Sequence, residues 1–574
     1  MEKKSIGIIG GGPAALFMFK RLVEAGDKDL SITIFERKEQ LGAGMPYSHE
    51  GACNEHITNV SDNEIPELVT SIKDWLHYAQ PEVLKPFDMY PEKFNEYKVV
   101  PRLLFGQYLA DQFKLLVNKA TKAGLQTKIL YTTNVIDVLD DQDIKQVTVY
   151  TEGGDHLLFD AVVMCTGHNW PKKYEGKVSN WFDSPYPPAK LAQQINYPVA
   201  IKGSSLTAID AVRTLARANG SFDQLEDGTT IYNLNKDTEG FRLVMHSIGA
   251  LLPAIRFHLE DAQLAHGTLL TENEMWKIME ENEGFIPLDY LFERNFKEPL
   301  RTQQPDFYEQ VKDMKLEEFV DFVMEFRERL DPFILFKAEY AEAEKSIRRH
   351  QSIYWKEMLS ALSYALNYPA KHLSAEDMLR HKKVLMPLIS IIIAMVPQSS
   401  CRDLIALHDA GVLSLTAVDR NSKVEPVEEG CVYTYTDEAG KEHQTAYRMF
   451  VDAIGQPPFQ FEDFPFKGLP GGGSISPAYL RFRSSEAGAK EQKDGNKDVQ
   501  QDSTGNYHLK VPGISINDHF QVLDKYGVNN DRVYIMAVPY IAGLNPDYSG
   551  LDFCEAASER IIKILLPVKE PVTA

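Results

Sequence analysis

Cysteine is scarce: five among 574 residues, at positions 53, 165, 401, 431 and 554, odd in number and without a C-x-x-C pair. That excludes a thioredoxin-type redox couple and a cysteine zinc site, and it fits a reducing, cytoplasmic setting. Long apolar runs are also missing. The most apolar stretch, Val384 to Val396, is thirteen residues long and contains Pro387, short of the roughly 20 that span a bilayer. It reads as a buried helix. The opening Met-Glu-Lys-Lys runs straight into strand-like sequence without an apolar signal core, so no secretory leader is expected. Basic charge is in deficit, 61 Lys and Arg against 82 Asp and Glu, net −21. Such a chain repels polyphosphate and anionic lipid, which argues against nucleic acid and membrane as main partners. No H-x-x-x-H helix, G-x-S-x-G elbow or P-loop lysine occurs. No metal-ligand set and no catalytic residue is therefore assigned.

What is present is ordinary globular composition, 44% hydrophobic and 25% charged, long enough for two to four cores at about 150 residues each. Lys4 to Gly10 reads as a strand, Pro13 to Ala25 as a helix and Ser31 to Phe35 as a second strand. Between the first strand and the helix stands Gly10-Gly11-Gly12-Pro13-Ala14-Ala15, a G-x-G-x-x-A turn in the strand–turn–helix context that motif requires. Gly10 permits the tight turn, Gly12 leaves room for a pyrophosphate, and Ala15 allows close packing of helix on strand. The helix N-terminus supplies free N–H groups for the anion. Glu36, followed by Arg37, ends the second strand, where a carboxylate accepts hydrogen bonds from a ribose diol.

Thr127 to Val138 reads as a strand with Val135 near its end. A hairpin follows (Val147 to Thr151, His156 to Phe159), then a closing strand from Ala161 that ends in Thr166-Gly167. This order resembles the FAD domain of two-dinucleotide flavoproteins. A weaker second copy follows. Val199 to Lys202 is a strand, Gly203-Ser204-Ser205-Leu206-Thr207-Ala208 a turn, and Ala208 to Ala218 a helix; Cys431 to Thr436 and Gln444 to Val451 form a hairpin ending at Asp452-Ala453-Ile454-Gly455. Ser205 stands where the second glycine belongs, and its side chain would crowd a pyrophosphate. The strand Phe241 to Met245 ends in His246-Ser247-Ile248, with neither acid nor arginine for the ribose; Arg256 could reach back.

The fold class expected is α/β: two Rossmann-like dinucleotide-binding domains, FAD and NAD(P)-like, with a helical insertion. The expected divisions are 1–190, the first part of an FAD-binding domain; 191–254, the first part of an NAD(P)-binding-like domain; 255–404, the insertion; 405–456, the second part of the NAD(P)-like domain; and 457–574, a return to the FAD domain with a flexible loop at 484–506. In the insertion, Leu316, Phe319, Val320, Val323, Phe326 and Leu330 form a helical stripe that reads as core, or else as a lid or subunit face. Leu551 to Leu565 reads as an amphipathic helix.

Further segments, Gly42-x-Gly44-x-x-Tyr47-Ser48, Thr58-Asn59-Val60, Val100-Pro101-Arg102, Phe105-Gly106-x-Tyr108-Leu109, Cys165-Thr166-Gly167-His168 and Ser184-Pro185-Tyr186-Pro187, resemble the FAD/NAD(P)-binding family that includes FAD-dependent urate hydroxylase and aspartate N-monooxygenase. The resemblance is densest over residues 1 to 215. It implies an FAD-dependent oxidoreductase, a monooxygenase that takes hydride from NADH or NADPH and hydroxylates a small, often nitrogen-containing molecule through a C4a-oxygenated flavin. Gly10, Gly12 and Ala14 would face the FAD pyrophosphate, Glu36 the adenosine ribose, and Tyr47 and Asn59 the isoalloxazine. Arg102 would neutralise phosphate or orient the flavin or a substrate carboxylate, or else serve as a structural cap or ion pair. Asp547 or Asp552 would meet the ribityl chain, Asp552 alternatively stabilising its own helix. The family's second site has glycine at the place of Ser205 and arginine at that of Ile248, and their absence here favours NADH. Two other readings stand beside this one: an FAD-dependent dehydrogenase or oxidase of an amine or hydroxy acid without a nicotinamide donor, and a non-catalytic flavin-binding interaction protein. The pattern names neither substrate nor oligomeric state.

Overall fold

The structure is a computed structural model that describes residues 3–168, 170–259, 269–437, 439–546 and 550–566. Two sheets organise it, and four neighbouring parallel strands in each share one order. The first runs Gln521–Leu523, Asn529–Ile535, Ala161–Met164, Lys4–Ile9, Leu30–Phe35, Gln126–Leu130. All its pairings are parallel except Gln521–Leu523 against Asn529–Ile535. The second runs Trp181–Phe182, Met449–Asp452, Pro198–Lys202, Arg242–Ile248, Leu413–Val418, parallel throughout. Each carries a three-stranded antiparallel meander: Val135–Asp141, Gln146–Thr151 and His156–Phe159 between Gln126–Leu130 and Ala161–Met164 in the first, Lys423–Pro426, Cys431–Thr436 and Glu442–Tyr447 between Leu413–Val418 and Met449–Asp452 in the second. The fold is two Rossmann-like domains with a helical insertion.

The central strands are apolar along their length because both faces are covered. Ile6, Ile8, Ile32, Ile34, Val162 and Val163 have no exposed surface. The helix Pro13–Ala25 is buried nearly all round, starts on Pro13 and ends at Gly26 in the left-handed conformation. It lies against Leu551–Leu565, so the chain's last described helix closes the first domain.

The helical insertion enters the second fold between the strand Arg242–Ile248 and the helix Gln398–Asp409, the same topological place at which the first fold carries residues 36–101 before its helix Arg102–Ala123. Its apolar residues join both cores. Leu291, Phe296, Phe319, Leu362 and Leu388 belong to the cluster built on the first sheet, and Phe333, Phe336 and Met395 to that of the second.

Several expected boundaries differ. Thr127 to Val138 is two strands, Gln126–Leu130 and Val135–Asp141, because Thr132 turns the chain at φ 49°. Val135 therefore opens the meander. The strand expected to stop at Met245 continues to Ile248, paired with Val418. Gln444 to Val451 splits at Arg448, since Glu442–Tyr447 pairs within the meander and Met449–Asp452 within the parallel sheet. The helix Gln398–Asp409 runs across the expected 404/405 division. The loop expected at 484–506 is ordered as the helix Ser485–Lys493, capped by the Ser484 side chain, and the strand Val499–Gln501. Polarity there reflects a one-sided surface helix that buries only Gly488. The stripe from Leu316 is core in its first half, but Phe326 and Leu330 are exposed.

Candidate functional site: two glycine turns and the junction between them

In the first turn Gly10 adopts φ +98°, and a Cβ there would stand 2.6 Å from the Cys165 carbonyl oxygen. Only glycine fits. Gly12 is the N-cap of Pro13–Ala25, a helix with no acidic residue in its first turn and, among the described residues, no side chain hydrogen-bonded to its N-terminal donors. A Cβ on Gly12 would lie 3.4 Å from Gly44 Cα, so the Gly42-x-Gly44 segment packs on the turn. The Gly42 N–H donates to the Gly11 carbonyl at 2.7 Å. Buried Glu36 accepts from the Gly11 N–H at 2.8 Å through Oε2 and from the Lys38 N–H at 2.9 Å through Oε1. A carboxylate has about four acceptor positions, so two remain for a ribose diol. Thr132 and Thr133 donate backbone N–H to the carbonyls of Lys38 and Glu36, which carries the chain from Glu36 toward Val135. Arg37 turns outward to Glu50. Ala15 is fully buried between helix and sheet; Ala14 is half-buried at the turn. Gly167, past Thr166, faces open space.

The second turn repeats two backbone bonds of the first. The Gly10 N–H donates to Phe35 O and the Gly203 N–H to His246 O; the Cys165 N–H donates to Ile9 O and the Ala453 N–H to Lys202 O. Gly203 has φ +111°, and its Cβ would stand 2.8 Å from the Ala453 carbonyl oxygen. Ser205 is the N-cap, with φ −88° and ψ −170° against −81° and −163° at Gly12. The sequence placed Ser205 at the second glycine's position, and the backbone there matches. Thr207 lies beside Gly455, its Oγ1 3.9 Å from where a Cβ would be. In place of the bond from Glu36 to Gly11, the Ser204 and Ser247 hydroxyls lie 2.9 Å apart and Ser204 donates to the Leu251 carbonyl at 2.6 Å.

Residues 7–169 match the FAD-NAD(P)-binding family, and residues 271–393 the YdhS-like middle domain. The first domain is an FAD-NAD(P)-binding domain. The chain is similar to YdhS of Escherichia coli (strain K12), 27% identical over 471 residues that cover 81% of this chain and 86% of that protein. It is 30% identical to human flavin-containing monooxygenase 1 over 168 residues, 29% of this chain and 27% of the other. Among solved structures, an ornithine N-hydroxylase of Kutzneria sp. 744 aligns over 98% of this chain and 99% of its own at TM-score 0.49 and 12% identity.

Where the FAD-NAD(P)-binding domain meets the second fold, a buried polar network joins them. Arg102 Nη1 donates to Asp210 Oδ2 at 2.6 Å, Tyr186 Oη donates to the same oxygen at 2.8 Å, and Arg102 Nε reaches Ile57 O at 3.2 Å. Burial alone would raise the Asp210 carboxyl, but Arg102 and the hydrogen bonds outweigh it and hold it below the usual range. Arg102 is thus a buried inter-domain ion pair, one of the roles its sequence allowed. Arg213 binds Asp403 at 2.8 Å and the Glu55 carbonyl, and Thr214 donates to Glu55 at 2.7 Å. Arg256 does not reach back toward Ile248; it binds Asn59 O, Ser61 and Glu64 across the same junction. Asp210 and Tyr186 went unread as site residues, although Tyr186 lies in a segment that carried the family resemblance.

Tyr47 is half-buried, edge-on to Phe105 at 4.8 Å, and burial pushes its phenol up to about 12. The Asn59 side chain is exposed. His168, Trp170 and Tyr186 line up in sequence, with ring centres 5.4 and 5.3 Å apart, and burial brings His168 down to about 4. Asp552 sits in the first turn of Leu551–Leu565. Asp547 lies outside the described residues. Burial raises the Cys165 thiol well above its ordinary value and the Cys554 thiol to about 12, so neither is a thiolate at neutral pH. Among the described residues no cluster fit to hold a metal ion occurs, and no helix is long and apolar enough to cross a membrane.

Proposed function

We propose that the protein is an FAD-dependent oxidoreductase that draws hydride from a reduced nicotinamide dinucleotide and hydroxylates a small, nitrogen-containing molecule. The observation that carries this is the duplicated turn: Gly10 and Gly203 make the same close approach at the carboxyl edges of two parallel sheets. Such edges take nucleotide pyrophosphates. The match of residues 7–169 to the FAD-NAD(P)-binding family and the similarity to human flavin-containing monooxygenase 1 support the same reading.

The residues of the first turn fit the group. Gly10, Gly12 and Ala14, with the N–H groups that follow Pro13, would hold the pyrophosphate; Glu36 would hold the ribose, with Val135 beside the adenine. Thr166, Gly167, Tyr47 and Asn59 would lie toward the ring, and Asp552 toward the ribityl chain. Bound FAD supplies the two-electron and oxygen chemistry that side chains lack. The chain's own task is to orient the ring and to exclude water. Phe105 behind Tyr47, and His168, Trp170 and Tyr186 at the junction, give an apolar wall. His168 stays neutral at pH 7, so it adds no charge there. The Arg102–Asp210 pair ties the first fold to the second.

The test is stopped-flow absorbance of the flavin-loaded protein mixed anaerobically with NADH or NADPH. Bleaching of the flavin's visible band far faster than for free flavin is expected, followed in air by oxygen consumption coupled to a hydroxylated product. A flavin that stays oxidised with both donors overturns the reading in favour of a dehydrogenase without nicotinamide.

A further inference from the structure

We propose that Arg420 makes the second fold selective for a dinucleotide carrying a 2′-phosphate, so that the donor is NADPH. This rests on the reading above that the second fold takes a reduced nicotinamide dinucleotide, and it reverses the preference for NADH expected from Ser205 and Ile248 standing where the family has glycine and arginine.

The internal repeat locates the adenosine end. In the first fold the residue after the strand's last bond to the turn is Glu36; in the second it is Ser247. A carboxylate there holds a free 2′-hydroxyl and repels a 2′-phosphate. Ser247 carries no charge, so that repulsion is gone, and what remains to be found is a cation.

The third strand brings it. Ile248 pairs with Val418, the last residue of Leu413–Val418, and Arg420 follows two residues later. In the first fold the corresponding loop runs directly over the acid's segment, Thr132 and Thr133 donating to the carbonyls of Lys38 and Glu36. By register, the loop that bears Arg420 follows directly on the pairs Ser247–Ala417 and Ile248–Val418. It is a tight turn closed by Ser422 N–H to Asp419 O at 3.2 Å, and it leaves Arg420 exposed.

Arg420 is not consumed by its neighbour. The Asp419 carboxylate is turned to backbone, accepting the N–H groups of Asn421 and Thr436, each at 2.9 Å. Among the described residues no hydrogen bond or ion pair engages the Arg420 guanidinium. A guanidinium with all its donors open is the side chain best shaped for a phosphate, which it binds in bidentate fashion. Ile248, 58% exposed, supplies an apolar surface for the adenine ring at the same spot. The arginine that the family places at the end of the second strand has its counterpart here on the third.

The experiment is isothermal calorimetry on the flavin-loaded protein with NADP+ and NAD+, and with 2′,5′-ADP and 5′-AMP, which present the adenosine end alone. Wild type, Arg420→Gln and Arg420→Lys are compared. NADP+ is expected to bind about ten- to a hundredfold more tightly than NAD+, the range of a charge-assisted contact. Arg420→Gln should bring NADP+ down to the NAD+ value and reduce 2′,5′-ADP binding to the level of 5′-AMP. Arg420→Lys should keep part of the difference, and added salt should narrow it. Tighter NAD+ binding in wild type, or a ratio that survives Arg420→Gln, overturns the assignment. Should neither dinucleotide bind, the second-site reading falls and the role of Arg420 with it. Selective binding without flavin reduction leaves Arg420 in place and removes only the hydride donor.

Discussion

The junction between the two nucleotide folds gives the sharpest stability test. Asp210→Ala removes the acceptor of Arg102 Nη1 and Tyr186 Oη at once. The side chains of the Arg102–Asp210 pair are 17% and 7% exposed, so the arginine would be left as an uncompensated, largely buried charge. Breaking one side of such a pair costs about 3–5 kcal/mol, against at most about 1 kcal/mol for a surface pair. At about 2.1 cal/mol/K of unfolding entropy per residue, 574 residues give about 1.2 kcal/mol/K, so a chain that melts as one unit loses about 3–4 °C. Scanning calorimetry of the flavin-loaded protein reads this directly. The double variant Arg102→Met with Asp210→Leu should recover most of the loss, because well-packed apolar residues replace a buried pair at little cost.

The sign with pH is fixed as well. The folded carboxyl of Asp210 lies below its ordinary value, so its share of stability is full above the unfolded value of about 3.9 and is lost as pH falls through the folded one. The gap between wild type and Asp210→Ala should therefore close in acid. A loss under about 1 kcal/mol at pH 7, or single-variant costs that simply add in the double variant, would refute the view that this pair couples the two folds.

Three other outcomes are expected. Gly10→Ala, at φ +98° against a carbonyl, should yield colourless protein, whereas Gly203→Ala, strained in the same way, should keep its flavin but lose nicotinamide binding; flavin content and calorimetry tell them apart, each substitution costing about 1–2 kcal/mol in backbone strain before the clash. The thiols of Cys165, Cys401, Cys431 and Cys554 are buried and raised by that burial, so mass spectrometry after iodoacetamide at pH 8 should find only half-exposed Cys53, itself raised to about 11, slowly alkylated, and all five cysteines labelled in denaturant. His381 is buried, and among the described residues neither ring nitrogen has a hydrogen-bond partner, each such group costing about 1–3 kcal/mol; His381→Leu should raise the melting temperature, and a lowered one would show that the imidazole has a partner.

What the sequence made legible was local. Gly10-x-Gly12-x-x-Ala15 could be read because a pyrophosphate turn draws all its demands from consecutive residues, and the helix Leu551–Leu565 because its apolar spacing lies within one element. The second turn was legible for the same reason despite Ser205: its backbone hydrogen bonds and the glycine at Gly203 do not depend on the side chain that changed. Boundaries failed where an apolar run served two sheets in succession, as at Arg448, or where a single left-handed residue, Thr132, bent an otherwise strand-like stretch. Neither change alters the hydrophobic pattern.

The long-range partners were not legible, and they decide what the site is. Arg102 looked equally suited to a phosphate and to a structural pair because its chemistry is the same in both. Only a fold that brings residue 210 to it, 108 positions away, separates the two. Arg420 shows the converse. Its neighbours in sequence mark nothing more than a polar turn, yet the register of Ile248 against Val418 carries that turn to the sheet edge at which the first fold keeps Glu36. A motif search along the second strand finds no charge at its end and infers a nucleotide without a 2′-phosphate. A parallel sheet, however, presents the ends of adjacent strands at one edge, and a cation on either strand serves the same phosphate. The selectivity of such a site belongs to the edge of the sheet and not to any one strand, which is why it must be read from pairing register.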